Sequence, residues 1–235
     1  MIKIRNNEER GKSNYGWLNS FHTFSFGNYF DRNHMGFGNL RVINDDFVQG
    51  GYGFDSHPHR DMEILTYVVE GSLIHRDSMG NSYTLEANDF QKITAGTGII
   101  HSEYNNSENE RLRFIQIWII PDNVGHEPNY EQINIDKNSI KNNLTLVASG
   151  TNNGSKNILN INQDANLYIS ILDDSEEFKF ESNTERILWL QLISGNLYIN
   201  DYELNVGDGA SITGENILKI KSFSHSEFLL FDLAN

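Results

Sequence analysis

Tyr83-Thr84-Leu85-Glu86-Ala87-Asn88-Asp89-Phe90-Gln91-Lys92-Ile93-Thr94 lies without a gap on Tyr202-Glu203-Leu204-Asn205-Val206-Gly207-Asp208-Gly209-Ala210-Ser211-Ile212-Thr213, with Tyr, Leu, Asp, Ile and Thr coinciding. Upstream, Tyr67-Val68-Val69-Glu70-Gly71-Ser72-Leu73 matches Leu192-Ile193-Ser194-Gly195-Asn196-Leu197 when Gly71 is laid on Gly195. Downstream, Phe114-Ile115-Gln116-Ile117-Trp118-Ile119-Ile120 has a counterpart in Phe228-Leu229-Leu230-Phe231-Asp232-Leu233. Both copies run strand, Gly turn, hairpin, Asp-containing turn, strand, so the pattern predicts a duplicated unit. Met79-Gly80-Asn81 and Asn200-Asp201 mark the two hairpin turns. Two such antiparallel units of six to eight strands predict an all-β chain of two tandem jelly-roll barrels. The boundary is placed between residues 133 and 134, giving domains 1–133 and 134–235. No long segment has helical period, and the polar stretch 129–143 is read as a short helix or linker.

Composition agrees with this and removes several function classes. Gly is plentiful (19) and Pro scarce (3), which suits many short strands joined by turns. There is no Cys, so disulfides, thiolate metal sites and cysteine nucleophiles are excluded. The formal charge of −14 repels phosphate backbones and argues against direct nucleic-acid binding. The first residues, Met1-Ile2-Lys3-Ile4-Arg5-Asn6, lack an apolar core of signal-peptide length, and no stretch has the apolar length that spans a bilayer. The expectation is a cytoplasmic protein without membrane contact.

Two short segments carry the chemistry. In Gly51-Tyr52-Gly53-Phe54-Asp55-Ser56-His57-Pro58-His59-Arg60-Asp61-Met62-Glu63, the two His are two residues apart, and on a strand such residues share a face. In Gly96-Thr97-Gly98-Ile99-Ile100-His101-Ser102-Glu103-Tyr104-Asn105, His101 and Glu103 have the same spacing after a Gly-x-Gly turn. If the two strands face each other across a barrel, His57, His59, His101 and Glu103 converge on one divalent ion. Imidazoles with a carboxylate suit Fe, Mn, Co, Ni, Cu or Zn and leave one or two coordination positions open, which implies substrate or oxygen chemistry. In the repeat register, His57 falls opposite Glu181, His59 opposite Asn183, His101 opposite Ile220 and Glu103 opposite Ser222, so the second barrel has lost the ligands. The other His have ordinary readings: His22 as a hydrogen-bonded structural residue, His75 as a polar partner of Asp77, and His34, His126 and His225 without a partner at ligand spacing. Asp61 and Glu63 are read as groups that buttress the ligating imidazoles.

These residues also carry a family resemblance. Gly51, His57, His59 and Glu63 follow the first cupin motif, and Gly98, His101 and Asn105 follow the second. Gly71 comes one residue late, and Gly96 stands where cupins usually have Pro. Cupins usually take their acidic ligand from the position of Glu63, whereas here Glu103 looks like the ligand, a variation characteristic of the pirin family. His22-Thr23-Phe24-Ser25-Phe26 and Leu40-Arg41-Val42-Ile43-Asn44-Asp45-Asp46 are similar to pirin as well. The resemblance is closest to bacterial pirin-like proteins, some of which are quercetin 2,3-dioxygenases. It implies a bicupin with metal, iron first among the options, only in the N-terminal domain. It also implies a flavonol and dioxygen as substrates, with ring opening and loss of carbon monoxide. On this reading Glu103 doubles as the base for the 3-hydroxyl, and Phe26, Met35, Phe37, Phe47 and Phe54 are candidate pocket walls, with plain core packing the preferred reading of each. The alternatives are a metal-binding regulatory protein that docks a protein partner, as eukaryotic pirin does, and an isomerase using the ion as a Lewis acid. Oxygen dependence separates the last from the dioxygenase.

Overall fold

The computed structural model describes residues 1–151 and 155–235. Its described residues divide into two compact units: Gly11–Ile135 with Ile161–Gln163, and Met1–Arg10 with Asp136–Asn160 and Asp164–Asn235. Strand β1 (Ile2–Arg5) belongs to the second unit. The first unit holds β2 (Gly11–Asn14), β3 (Leu18–His22), β4 (Leu40–Val48), β5 (Gly53–His59), β6 (Glu63–Glu70), β7 (Ser72–Asp77), β8 (Ser82–Glu86), β9 (Asp89–Thr94), β10 (Ile99–Asn105), β11 (Leu112–Ile119) and β12 (Asn129–Asn134). They form a seven-stranded sheet, β12-β9-β6-β11-β4-β3-β2, and a four-stranded sheet, β5-β10-β7-β8.

The second unit repeats this plan with β13 (Thr145–Ser149), β14 (Leu159–Asn160), β15 (Ala165–Leu172), β16 (Glu177–Glu181), β17 (Ile187–Ser194), β18 (Asn196–Ile199), β19 (Tyr202–Asn205), β20 (Gly209–Thr213), β21 (Ile217–Ser222) and β22 (Ser226–Leu233). Its sheets run β1-β20-β17-β22-β15-β13-β14 and β16-β21-β18-β19. Every named pairing is antiparallel except β13 with β14. The all-β, two-barrel reading therefore holds.

The repeated residues have repeated jobs. Asp89 Oδ2 accepts the Glu86 N–H at 2.8 Å, and Asp208 Oδ2 accepts the Asn205 N–H at 2.8 Å. Each closes the turn that enters the strand pairing with β6 or β17. Gly71 and Gly195 both sit at left-handed φ, +80° and +81°, where a side chain is strained. A Cβ there would also come within 2.9 Å of Arg111 O and 2.4 Å of His225 O.

The structure revises three expectations. Residues Met1–Arg10 leave the N-terminal unit, because β1 pairs with the open edge of β20 from Ile2↔Ile212 to Arg5↔Gly209. The matching edge, β9, is covered by β12. Residues 129–134 are thus an edge strand; its polar pattern hid it, and only Lys137–Ile140 is helical. The repeat register also slips after β9. Asn105 pairs with Leu73 and Ser222 with Leu197, so Glu103 corresponds to Ile220 and His101 to Leu218. His57 pairs with His101 as Phe180 pairs with Leu218, so Phe180 replaces Glu181 as its counterpart. The longer, Gly-rich turn between Thr94 and His101 causes the slip in β10, and the change at His57 follows from the run from His57 to Glu63 being one residue shorter than the run from Phe180 to Ile187.

Candidate metal centre

β5 is an edge strand of the small sheet, which tolerates Pro58 because one side of its backbone needs no partner. His57 and His59 flank that proline on the inward face. β10 lies beside β5 rather than across the barrel from it, with His101 directly opposite His57 and Ile99 opposite His59. The convergence is therefore between neighbours in one sheet. The ring centroids are 4.8 Å apart for His57–His59, 4.5 Å for His57–His101 and 4.9 Å for His59–His101. One donor nitrogen from each lies within 4.8 Å of the other two.

Hydrogen bonding and burial prepare the rings to act as donors. His57 Nδ1–H donates to the Asp55 carbonyl at 2.7 Å, which leaves Nε2 as the lone-pair atom. Burial, reinforced by His101 and His57, pushes His59 down to about 4. Burial, with His57 and His75 adding to it, pushes His101 down to about 3. Both nitrogens of His101 are buried without a hydrogen-bond partner, an unfavourable state that a cation at one of them relieves. This donor set fits a first-row transition ion.

Glu103 is buried on β10 and faces the large sheet. Its Oε1 accepts from Gln91 Nε2 at 2.6 Å and Thr66 Oγ1 at 3.3 Å, and its Oε2 accepts from Gln116 Nε2 at 3.0 Å. Gln91, Thr66 and Gln116 stand in one row across β9, β6 and β11. Glu103 groups within 4.8 Å with His101 and His75, not with His57 and His59 as well. Without an ion, the four-residue set is thus two overlapping triads joined at His101. The carboxylate expected to act as a free base is already held by three donors.

His22 and His75 bond polar partners as read, but His75 also joins a candidate metal triad, and His34, His126 and His225 each lie beside a carboxylate that the sequence reading did not give them. His22 bonds Ser13 at 2.9 Å and Asn44 at 2.8 Å. His75 Nε2 pairs with Asp77 at 3.1 Å, but its Nδ1 is buried without a partner and the ring stacks on Tyr130. His34 and His126 pair with Asp31 and Asp122, and His225 lies 3.5 Å from Asp173. Glu63 is fully buried and accepts from Thr94 at 3.1 Å and Asn162 at 3.1 Å. Asp61 accepts from Gly125 N at 2.7 Å. Both carboxylates thus bond groups other than the rings of the cluster.

A cavity of about 340 Å³ opens on the cluster, with His57, His59 and Glu103 in its wall. That is at the lower end for small-molecule sites. Phe26, Phe54 and Trp118 supply its aromatic surface, Trp118 meeting His59 edge-to-face at 5.1 Å. Of the candidate wall residues, Phe26 and Phe54 line it, and Met35, Phe37 and Phe47 do not. The sequence reading missed Asp46, Asn44, Gln116 and Trp118 on the large-sheet side. The signal was available in the repeat: Thr66, Gln91 and Gln116 correspond to Leu190, Ala210 and Leu230 in the second unit, all buried in its apolar core.

A family model described as Pirin matches residues 3–119, and one described as Quercetinase C-terminal cupin domain matches residues 146–233. Quercetin 2,3-dioxygenase of Escherichia coli K12 is 47% identical over 233 residues, 99% of each chain. A putative quercetin 2,3-dioxygenase of Pasteurella multocida is 42% identical, over 99% of this chain and 100% of its own. The crystal structure of a bacterial pirin from Escherichia coli in complex with nickel(II) superimposes with a TM-score of 0.94 at 46% identity, covering 100% of this chain and 99% of that one.

Proposed function

The chain belongs to the pirin family, and from that premise we propose that it is a metal-dependent dioxygenase that opens a flavonol such as quercetin with consumption of dioxygen and release of carbon monoxide. One observation carries this reading: three imidazoles cluster at donor distance, and two of them, His57 and His59, stand in the wall of an aromatic-lined cavity. A purely structural ion would be closed off. The same cavity supports catalysis over the regulatory reading, since docking a protein partner needs no small-molecule cavity beside the ligand cluster.

His57, His59 and His101, with Glu103 turning from its amide donors, would hold one divalent ion. When bound, that ion would act as a Lewis acid toward the substrate's oxygen. Iron is our first choice; the donor set also takes the nickel found in the Escherichia coli relative. The protein's own contribution is positional. Phe26, Phe54 and Trp118 offer faces and edges to a planar aromatic and displace water. The depressed His59 and His101 stay unprotonated at neutral pH, so no proton competes at the donor nitrogens.

Quercetin absorbance should decay under oxygen with metal-loaded protein, and carbon monoxide should be released in step. Absence of decay with each of Fe, Mn, Co, Ni and Cu would remove the dioxygenase. His101→Ala should lose most of its metal by elemental analysis; unchanged metal content would refute the ligand assignment.

A further inference from the structure

Two adjacent carboxylates on β4 are treated in opposite ways. Asp45, on one face, is clasped by Arg113, Nε to Oδ1 at 2.9 Å and Nη2 to Oδ2 at 3.0 Å. Asp46, on the other face, lines the cavity beside the metal cluster. It is 4% exposed, and its Oδ1 is buried without a hydrogen-bond partner. The titratable groups that share the cavity wall are Tyr15, His22, His57, His59 and Glu103, with no Lys or Arg among them. A buried carboxylate oxygen with neither a donor nor a cation is unfavourable, and native proteins retain such groups rarely. Trp118 Nε1–H, on the same wall, is likewise buried without a partner. The cavity wall thus holds one unused acceptor, in Asp46, and one unused donor, in Trp118.

We propose that Asp46 is the catalytic residue that takes the proton from the substrate's acidic hydroxyl, leaving Glu103 to hold the ion. This rests on the flavonol reading above. The hydroxyl O–H bond breaks with its electron pair kept on the substrate oxygen, an Oδ1–H bond forms on Asp46, and the proton passes to solvent when product leaves. Nothing is oxidised or reduced in this step. Glu103 is the weaker acceptor because Gln91, Thr66 and Gln116 already occupy its oxygens. In the ion-free protein, burial, offset in part by Ser20 and reinforced by Asp45 and Glu103, lifts Asp46 to about 7.

The test is the absorption spectrum of quercetin bound without oxygen to metal-loaded wild type, Asp46→Asn and Asp46→Glu, followed from mild acid to mild base. Ionised flavonol absorbs at longer wavelength. Wild type should bind the anion near neutral pH, whereas Asp46→Asn should bind the neutral form, and its ionisation midpoint should move up. In turnover, Asp46→Asn should lose roughly 100-fold in kcat, with a smaller change in KM, and Asp46→Glu should regain part of it. An unshifted midpoint and unchanged kcat in Asp46→Asn would overturn the assignment while leaving the dioxygenase intact. Loss of metal from Asp46→Asn would overturn it too, since a group acting only on substrate leaves the ion's site filled. If wild type binds no quercetin, the flavonol reading fails and Asp46 as its acceptor fails with it.

Discussion

At the scale of single residues, the cavity sets function against stability. Asp46 has its carboxyl raised from 3.8 to about 7, chiefly by burial. The folded state therefore binds the proton more tightly than the unfolded chain. Its contribution is intact below about pH 4 and is lost progressively as pH rises toward 7. Asp46→Asn, in metal-free protein, should match wild type near pH 4 and gain on it through neutrality. At about 1.4 kcal/mol per unit the gain has a ceiling of roughly 4 kcal/mol. Denaturant midpoints at several pH values check this; a gain that does not depend on pH would mean the carboxyl is not strained. Asp46 was invisible as a site residue in the sequence, because Asn44-Asp45-Asp46 has the composition of a turn and nothing local says which Asp meets Arg113. The His were legible because the two-residue spacing of His57/His59 and His101/Glu103 maps directly onto one face of a strand.

At the scale of elements, one row of side chains distinguishes the first barrel from the second. Gln91, Thr66 and Gln116 cross β9, β6 and β11 under Glu103, while Ala210, Leu190 and Leu230 cross β20, β17 and β22 under Ile220. The second barrel has the apolar answer at each place, with Leu218, Ile220 and partly buried Phe178 and Phe180 filling the space of the ligands. Gln116→Leu, which copies that answer, should keep the fold and bind metal roughly 10–100-fold more weakly, because Glu103 Oε2 loses its donor. Metal titration together with thermal unfolding checks it; unchanged affinity with an unchanged melting temperature would show that the row does not position Glu103. The repeat made this contrast readable in principle. The sequence register failed where two further residues enter the turn before His101 and where the run from His57 to Glu63 is one residue shorter than its counterpart, since the length of a connection is set by the local backbone rather than by the strand pattern.

At the scale of the whole chain, the order of residues and the order of folding units differ. The unit that carries Asp136–Asn160 and Asp164–Asn235 takes its edge strand from the start of the sequence. An uncovered β20 would present a row of unpaired backbone groups to other chains. β1 also supplies Ile2, 6% exposed, to that unit's core, and Asn7 N–H donates to the second oxygen of Asp208 at 2.6 Å. In the other unit, Asn134 makes the matching bond to Asp89 Oδ1. The same turn aspartate therefore ties down the edge-covering segment in both, although one segment follows its barrel in sequence and the other lies far upstream. No periodicity reveals such an exchange, because Ile2-Lys3-Ile4-Arg5 reads equally well as the first strand of the nearer domain. The exchange predicts where damage will register. Ile2→Ala removes a buried side chain of the second unit and should cost about 2–5 kcal/mol there. Metal affinity at His57, His59 and His101 should stay at the wild-type value, since no residue of the cluster belongs to that unit. Thermal unfolding and metal titration on the same preparation separate the two effects. A variant that melts like wild type but binds metal less tightly would place β1 in the wrong barrel.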